Sequence, residues 1–390
     1  MTNRIYLDWN ATAPLRPEAR AAVAAALDRA GNPSSIHAEG RAARQLIERA
    51  REQVAALVGA ESKLVTFTSG GTEANNLALT PAVQAGDQKT PRDRLLVSAI
   101  EHVSVRAGGQ FVGDAVEEIP VTTAGMVDCA ALARRLAALA PQRALVSVML
   151  ANNETGVIQP ICEVAAAAHE AGALLHVDAV QAAGRVSCNI NELGADLLTL
   201  SAHKLGGPKG AGALIRRDET LHLPHPLVRG GGQERGLRGG TENVAAIAGF
   251  GAAAQAGRLA LETDALRMTA LREQLEARLK AATPKAIIFG EGAGRVPNTT
   301  LVAVPGMKAE TAVIALDLAG FAVSSGAACS SGKVQPSHVL AAMGASPELA
   351  GGGVRISLGW TTTQSEIDCF VDAWIKVAEA LVKETRGLAA

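Results

Sequence analysis

One cysteine of this chain, Cys329, sits in SSGAACSSGK (residues 324–333), among serines, alanines and glycines. A structural cysteine is expected beside bulky apolar neighbours, and a metal cysteine beside a second ligand about two to four residues away. Cys329 has neither, and its own surroundings leave open why a thiol stands on so flexible a Gly/Ser-rich tether. Lys204 stands in LTLSAHKLGGPKGAGAL (198–214), between an apolar run and a Gly/Pro loop, close to Ser201 and His203. An isolated lysine there is ordinarily a surface residue. In a site of several polar groups it can form a Schiff base with an aldehyde cofactor. Asp178 ends the apolar run of LLHVDAVQ, and His102 ends RLLVSAIEH. An imidazole titrates near neutrality and suits proton transfer, although a lone histidine at a strand end is more often structural. SGGTEANN (69–76) sets two glycines and a threonine before a helical run. That is a ready anion site, with a simple helix cap as its plainer reading.

The elements that must position these groups follow from the apolar pattern. ARAAVAAALDRA (19–30) and RAARQLIERAREQVAALVG (41–59) carry helical periodicity, with the loop GNPSSIHAEG (31–40) between them. Apolar, β-branched runs follow at 63–69, 94–102, 115–121, 144–154, 173–181, 195–204 and 212–217, with helical stretches such as CEVAAAAHEAG (162–172) between them. The alternation predicts an α/β domain with a mostly parallel sheet flanked by helices. SGGTE, EH, NNETG, DAVQ and SAHK each follow the apolar part of a run. Ligands of open α/β sheets bind at the carboxyl ends of strands, so these groups are expected to converge. From about residue 256 the texture changes to a long helical segment (257–282), then short strands at 286–291, 298–306 and 353–360. The expected division is a large domain, 15–256, and a smaller α+β domain, 1–14 with 257–390, that carries Cys329.

The bulk composition narrows the function. A chain of 390 residues exceeds one small core. Its 37 basic and 38 acidic residues nearly balance, which gives no electrostatic case for nucleic acid or an anionic membrane. Aromatic residues are too few (Phe 6, Trp 3, Tyr 1) for a single-strand stacking platform. MTNRIYLDWN has no signal-like apolar region, and no uninterrupted apolar run approaches the roughly 20 residues of a membrane span. Cys129, Cys162, Cys188, Cys329 and Cys369 form no CxxC pair, which argues against a disulfide framework or structural zinc. Apart from Cys329 they read as small hydrophobes. His222 and His225 are spaced as two metal ligands would be, but the sequence suggests no third. A cytoplasmic protein with reduced thiols is expected.

SAHKLGGPKGAG (201–212) resembles the lysine region of class V aminotransferase-like pyridoxal phosphate (PLP) enzymes, and most closely that of the group I cysteine desulfurases. YLDWNATAP, GNPSSIHAEGR, FTSGGTEANNLA, EHVSV, ANNETGV, HVDAVQ, RGGGQERGLRGGTENV, SSGAACSSGK and VRISLG are similar too, in family order along nearly the whole chain. The resemblance implies the PLP-dependent transferase fold of type I. It implies that Lys204 carries PLP and that Asp178 keeps the pyridine nitrogen protonated. Gly71, Thr72, Ser201 and His203 then hold the phosphate, and Thr241 reaches it from the second subunit of a homodimer. By the same resemblance His102 stacks on the ring and moves protons, and Gln181 hydrogen-bonds the phenolic oxygen. Asn153, beside the cofactor, and Arg355 hold the substrate carboxylate.

The implied reaction converts L-cysteine to L-alanine, leaves a persulfide on Cys329, and passes the sulfur to acceptor proteins such as an iron–sulfur scaffold. The only metal role implied is a cluster bridging Cys329 and a scaffold transiently. Two other readings stand beside it: a selenocysteine lyase or other class V PLP enzyme, and a non-enzymatic sulfur-transfer platform, which is expected to lack the lysine or the thiol. The chain departs from the family pattern at Trp9 and Ala13 (usually YLDYNATTP), at Gly239 (usually RSGT) and at Ala327 (usually SSGSAC). These departures remove no proposed catalytic group and leave the acceptor open.

Overall fold

All seven expected runs of the first region form strands of one sheet. The structure, a computed structural model, describes residues 4–87, 90–326 and 336–388. The strands are β1 (Val65–Thr68), β2 (Arg94–Ser98), β3 (Val116–Ile119), β4 (Ala144–Met149), β5 (Leu174–Asp178), β6 (Leu197–Ser201) and β7 (Gly212–Arg216). Their order is β1-β7-β6-β5-β4-β2-β3. Neighbours are parallel except at β7, which runs antiparallel to both β1 and β6. Every residue of β4, β5 and β6 is buried. Sheets covered on both faces need such near-continuous apolar strands. The register sets Asp178 beside Met149 on one side and Thr199 on the other.

Helices α1 (Pro17–Leu27) and α2 (Ala38–Leu57) precede the sheet. α1 starts with a proline in its first turn, and His37 caps α2 by accepting from Gly40 N–H. Two short helices open directly after strand ends: α3 (Gly71–Ala78) after β1 and α4 (Val103–Arg106) after β2.

The long helix α5 (Val244–Ala282) differs from expectation. It begins well before residue 257, where the sequence reading started it. Gly249, Gly251 and Gly257 lower its intrinsic propensity, which masks its first half. Packing requires two of them: a Cβ on Gly251 would lie 2.5 Å from Ala50 Cα, and one on Gly249 2.5 Å from Val23 Cγ2. By length and composition α5 is apolar enough to cross a membrane, with an 18-residue window of mean hydropathy 1.4. No such run was expected. Half of that window is buried inside the protein, as in a core helix.

α5 serves two cores. Ala246, Ile247, Phe250, Ala253 and Ala254 join the core on the large sheet. Leu271, Leu275 and Leu279 join a second core with Leu7, α6 (Ala309–Leu318) and α7 (Gln364–Leu388). That core also packs on an antiparallel sheet of β8 (Ile287–Ile288), β9 (Thr299–Ala303), β10 (Ser324–Ser325) and β11 (Val354–Ser357), in the order β8-β9-β11-β10. The N-terminal Ile5–Tyr6 pairs in parallel with Phe321–Ala322. β10 corrects one detail of the sequence reading. The stretch taken as a loose tether begins as a buried strand, with Ser324 opposite Arg355 and Ser325 opposite Val354.

Candidate active site

The ends of β1, β4, β5 and β6, the turns after them and an N-terminal segment enclose a cavity of about 320 Å³. Ten residues singled out in the sequence line it: Gly71, Thr72, His102, Asn153, Asp178, Gln181, Ser201, His203, Lys204 and Arg355. Thr241 is exposed and does not line this cavity. Cys329 lies outside the described residues. Gly326 and Ser337, which flank that stretch, both meet the buried Glu154. Ser337 Oγ donates to Glu154 Oε2 at 2.5 Å, and a Cβ on Gly326 would come within 2.7 Å of the same oxygen.

Lys204 closes a 3₁₀ turn directly after β6. Its Nζ donates to the carbonyls of Asn10 (2.5 Å) and Ala11 (2.9 Å). Asn10, which sequence reasoning did not single out, is a hub of the site. Its carbonyl also accepts from Gln181 Nε2, its amide donates to Thr299 Oγ1 (2.9 Å), and its Oδ1 accepts from Asn298 (3.1 Å). The only hint was its place inside YLDWNATAP. Behind Lys204, Trp9 meets Trp360 edge-on at 4.6 Å, and the Arg16 guanidinium lies over the Trp360 ring at 3.8 Å.

Gln181 is held by Arg185. Arg185 Nη1 donates to Gln181 Oε1 (2.5 Å), and Nη2 donates to the Lys204 carbonyl (3.3 Å). A guanidinium can only donate, so Gln181 must turn its oxygen toward Arg185 and its NH₂ toward Asn10 and the cavity. Burial lowers the Arg185 pKa to about 10, and Arg355 adds to the effect, so Arg185 stays charged at neutral pH. Arg355 Nη1 donates to the Asn153 carbonyl (2.9 Å), and Nη2 pairs with Asp8 at 2.8 Å. Burial, reinforced by Lys204, Lys209 and Arg185, pushes His203 down to about 4, so that it is neutral.

Asp178 ends β5. Its Oδ1 accepts from Val180 N–H and its Oδ2 from Asn75 Nδ2, both at 2.9 Å. Asn75 also donates to Ser104 Oγ (2.9 Å) and accepts from Thr199 Oγ1 (2.6 Å). Ser104 in turn meets His102 Nδ1. Two further ionisable groups are buried near Asp178. Glu101 Oε1 accepts from Met149 N–H, while its Oε2 has no hydrogen-bond partner among the described residues. Burial holds the Glu101 carboxyl well above the usual carboxylate range, and Asp178 adds to that. His176 is bonded to Ser147 Oγ at 2.8 Å, and burial lowers its pKa to about 4.

At the start of α3 a Cβ on Gly71 would come within 3.0 Å of Val180 Cγ2 and 3.3 Å of Ser201 Cβ. Glycine lets the helix N-terminus close on the end of β6 without that crowding, and its N–H groups suit a phosphate. The donor set fits a phosphorylated pyridine: an amine for an aldehyde, a carboxylate for a ring nitrogen, an amide donor for a ring oxygen, and an anion cradle. Among the described residues no cluster of His, Cys, Asp or Glu could hold a metal.

The stretch that leads to Thr241 is tied to the large sheet and α2 by a buried ion pair. Arg51 Nη1 and Nη2 donate to both oxygens of Glu234 (2.7 and 2.8 Å), and Phe67 N–H donates to Glu234 Oε2 at 2.8 Å. The pair fixes a left-handed backbone at Glu234 (φ 45°) and Arg235 (φ 56°).

The pattern of the aminotransferase class-V family matches residues 5–370. A cysteine desulfurase of Cereibacter sphaeroides is 44% identical over 384 residues, covering 97% of this chain and 96% of that protein. A protein of Dictyoglomus turgidum named cysteine desulfurase IscS is 40% identical over 385 residues, covering 98% and 96%. The structure of a NifS-like protein from Rickettsia africae superposes with a TM-score of 0.85 at 36% identity, covering 96% of this chain and 99% of that one.

Proposed function

We propose, on the premise that the chain belongs to the aminotransferase class-V family and is a PLP-dependent cysteine desulfurase, that the cavity takes L-cysteine and hands its sulfur to Cys329. The observation that carries this reading is the convergence of Lys204, Asp178, the α3 N-terminus and Arg355 on one cavity. PLP, when bound, supplies an electron sink conjugated with the substrate Cα. Lys204 Nζ anchors the cofactor and moves the proton at Cα. Asp178 holds the proton on the ring nitrogen. Gln181 turns its NH₂ to the phenolic oxygen, as Arg185 obliges it to do. Gly71, Thr72, Ser201 and His203 receive the phosphate. Arg355 and Asn153 orient the substrate carboxylate, for which a planar guanidinium is suited. His102 transfers protons above the ring.

The Cys329 thiolate attacks the substrate sulfur. An S–S bond forms, the Cβ–S bond breaks, and its electron pair passes to Cβ, which is protonated on the way to alanine. The persulfide then goes to an acceptor protein, for which an iron–sulfur scaffold is the reading, with a transient shared cluster at Cys329. The exposure of Thr241, away from its own cavity, supports a homodimer in which it completes the neighbouring subunit's phosphate site. The free cysteines fit a reducing, cytoplasmic setting. The test compares wild type with Cys329→Ala, supplied with L-cysteine and a reductant, assaying alanine and sulfide together. Equal yields from wild type and neither product from a variant that still binds PLP are expected. A variant that keeps its turnover overturns the persulfide step and favours a lyase or aminotransferase.

A further inference from the structure

We propose that Ser104 and Asn75 are positioning residues that hold His102 as its Nε2–H tautomer and oppose protonation at Nδ1. The consequence for turnover rests on the reading of His102 as the proton-moving residue; the geometry does not. Ser104 N–H donates to His102 Nδ1 at 3.2 Å. A backbone amide can only donate, so Nδ1 must present its lone pair. Ser104 Oγ lies 2.8 Å from the same nitrogen.

The direction of that second bond is set from the other side. Asp178, as a carboxylate, only accepts, and Asn75 Nδ2 reaches both it and Ser104 Oγ at 2.9 Å. Thr199 Oγ1 donates to Asn75 Oδ1 at 2.6 Å, and the acceptor-only carboxylate facing Nδ2 fixes the amide against flipping. Ser104 Oγ therefore accepts a hydrogen bond from Asn75 and points its own hydrogen at His102 Nδ1. All three supporting side chains are buried: Thr199, Asn75 and Ser104 are 0%, 1% and 6% exposed. The neutral ring collects two donors at Nδ1, and a proton there would face the amide N–H head-on. The mobile proton of His102 thus belongs on Nε2, and the chain Thr199–Asn75–Ser104 links the ring's orientation to the carboxylate below the same cavity.

Other charged or titratable groups near His102 are Glu101 and Arg106 on its own segment, His338, whose Nε2 meets the Glu101 carbonyl at 3.0 Å, and Asp178, His203, Lys204 and Arg355 around the cavity. Of these only Asp178 bears on the donor direction at Nδ1, and it does so through Asn75 and Ser104.

The test is ¹⁵N NMR of the full-length, histidine-labelled protein as purified, with the His102 signals identified by their loss in His102→Gln. In the neutral ring Nδ1 is expected to resonate as the unprotonated nitrogen and Nε2 as the protonated one. Ser104→Ala removes one donor to the neutral form, so the His102 midpoint should rise by about half a unit to one unit. Ser104→Thr, which keeps the hydroxyl, should restore it. A wild-type ring protonated on Nδ1 overturns the proposal, as does a Ser104→Ala midpoint that stays put or falls. If Ser104→Ala does not fold, Ser104→Cys, a weaker donor of similar size, is read by the same two criteria. None of these signals depends on turnover, so a failure of the desulfurase reading would leave them intact and remain distinguishable.

Discussion

At the scale of single residues, the site keeps more ionisable groups out of water than it can keep charged. Glu101 is the sharpest case. Its folded pKa is raised above its unfolded value, so the folded state holds a proton that the unfolded chain releases. Stability is then greatest below the unfolded carboxylate pKa and falls as pH rises toward the folded value. Glu101→Gln has no such proton to lose. Its melting temperature, followed by calorimetry between about pH 5 and 8, should decline less steeply than that of wild type. Parallel curves would show that Glu101 is charged in the fold. A second prediction concerns Arg185→Met, which frees Gln181 to flip. The variant should fold, bind PLP more weakly, and shift the absorption of the bound cofactor. An unchanged spectrum would show that Gln181 is oriented by something else. The sequence exposed Lys204, Asp178 and His102 because reactive side chains at strand ends are conspicuous. It hid Asn10, Asn75 and Ser104 because amides and hydroxyls are common everywhere, and only their partners give them a role.

At the scale of elements, the seven strands of the large sheet were legible because each is a short apolar run closed by polar residues. The first half of α5 was not, since glycine reads as a helix breaker unless the approach of a second helix is known. Gly251→Ala tests this account. The added Cβ would meet Ala50 backbone, which cannot yield as a side-chain tip can. A loss of about 1–3 kcal/mol is expected by chemical denaturation, despite the better helix propensity of alanine. A gain in stability would mean that α2 and α5 are not as close as described. β10 was equally hidden. Two serines before a glycine look like a tether, and only pairing with β11 shows them as a buried edge.

At the scale of the whole molecule, the Arg51–Glu234 pair ties a strained stretch, and with it Thr241, to the large sheet. Glu234→Ala would leave the buried guanidinium with only the part-exposed Glu48 as a carboxylate partner, and a loss of about 3 kcal/mol is expected by denaturant unfolding. Subunit mixing tests the proposal that Thr241 completes a neighbouring subunit's site. Lys204→Ala and Thr241→Glu homodimers should both be weak, whereas co-refolded mixtures should regain activity at one site per mixed dimer. No regain would place Thr241 in its own subunit's chemistry. The two cores also constrain what can be done with the gene. Leu7 and the Ile5–Tyr6 pairing bring the first residues of the chain to the second core, while α5 runs through both. The second core is therefore not one contiguous stretch of sequence. No single cut removes it whole, and a graft from a relative must replace both chain ends and splice inside a helix.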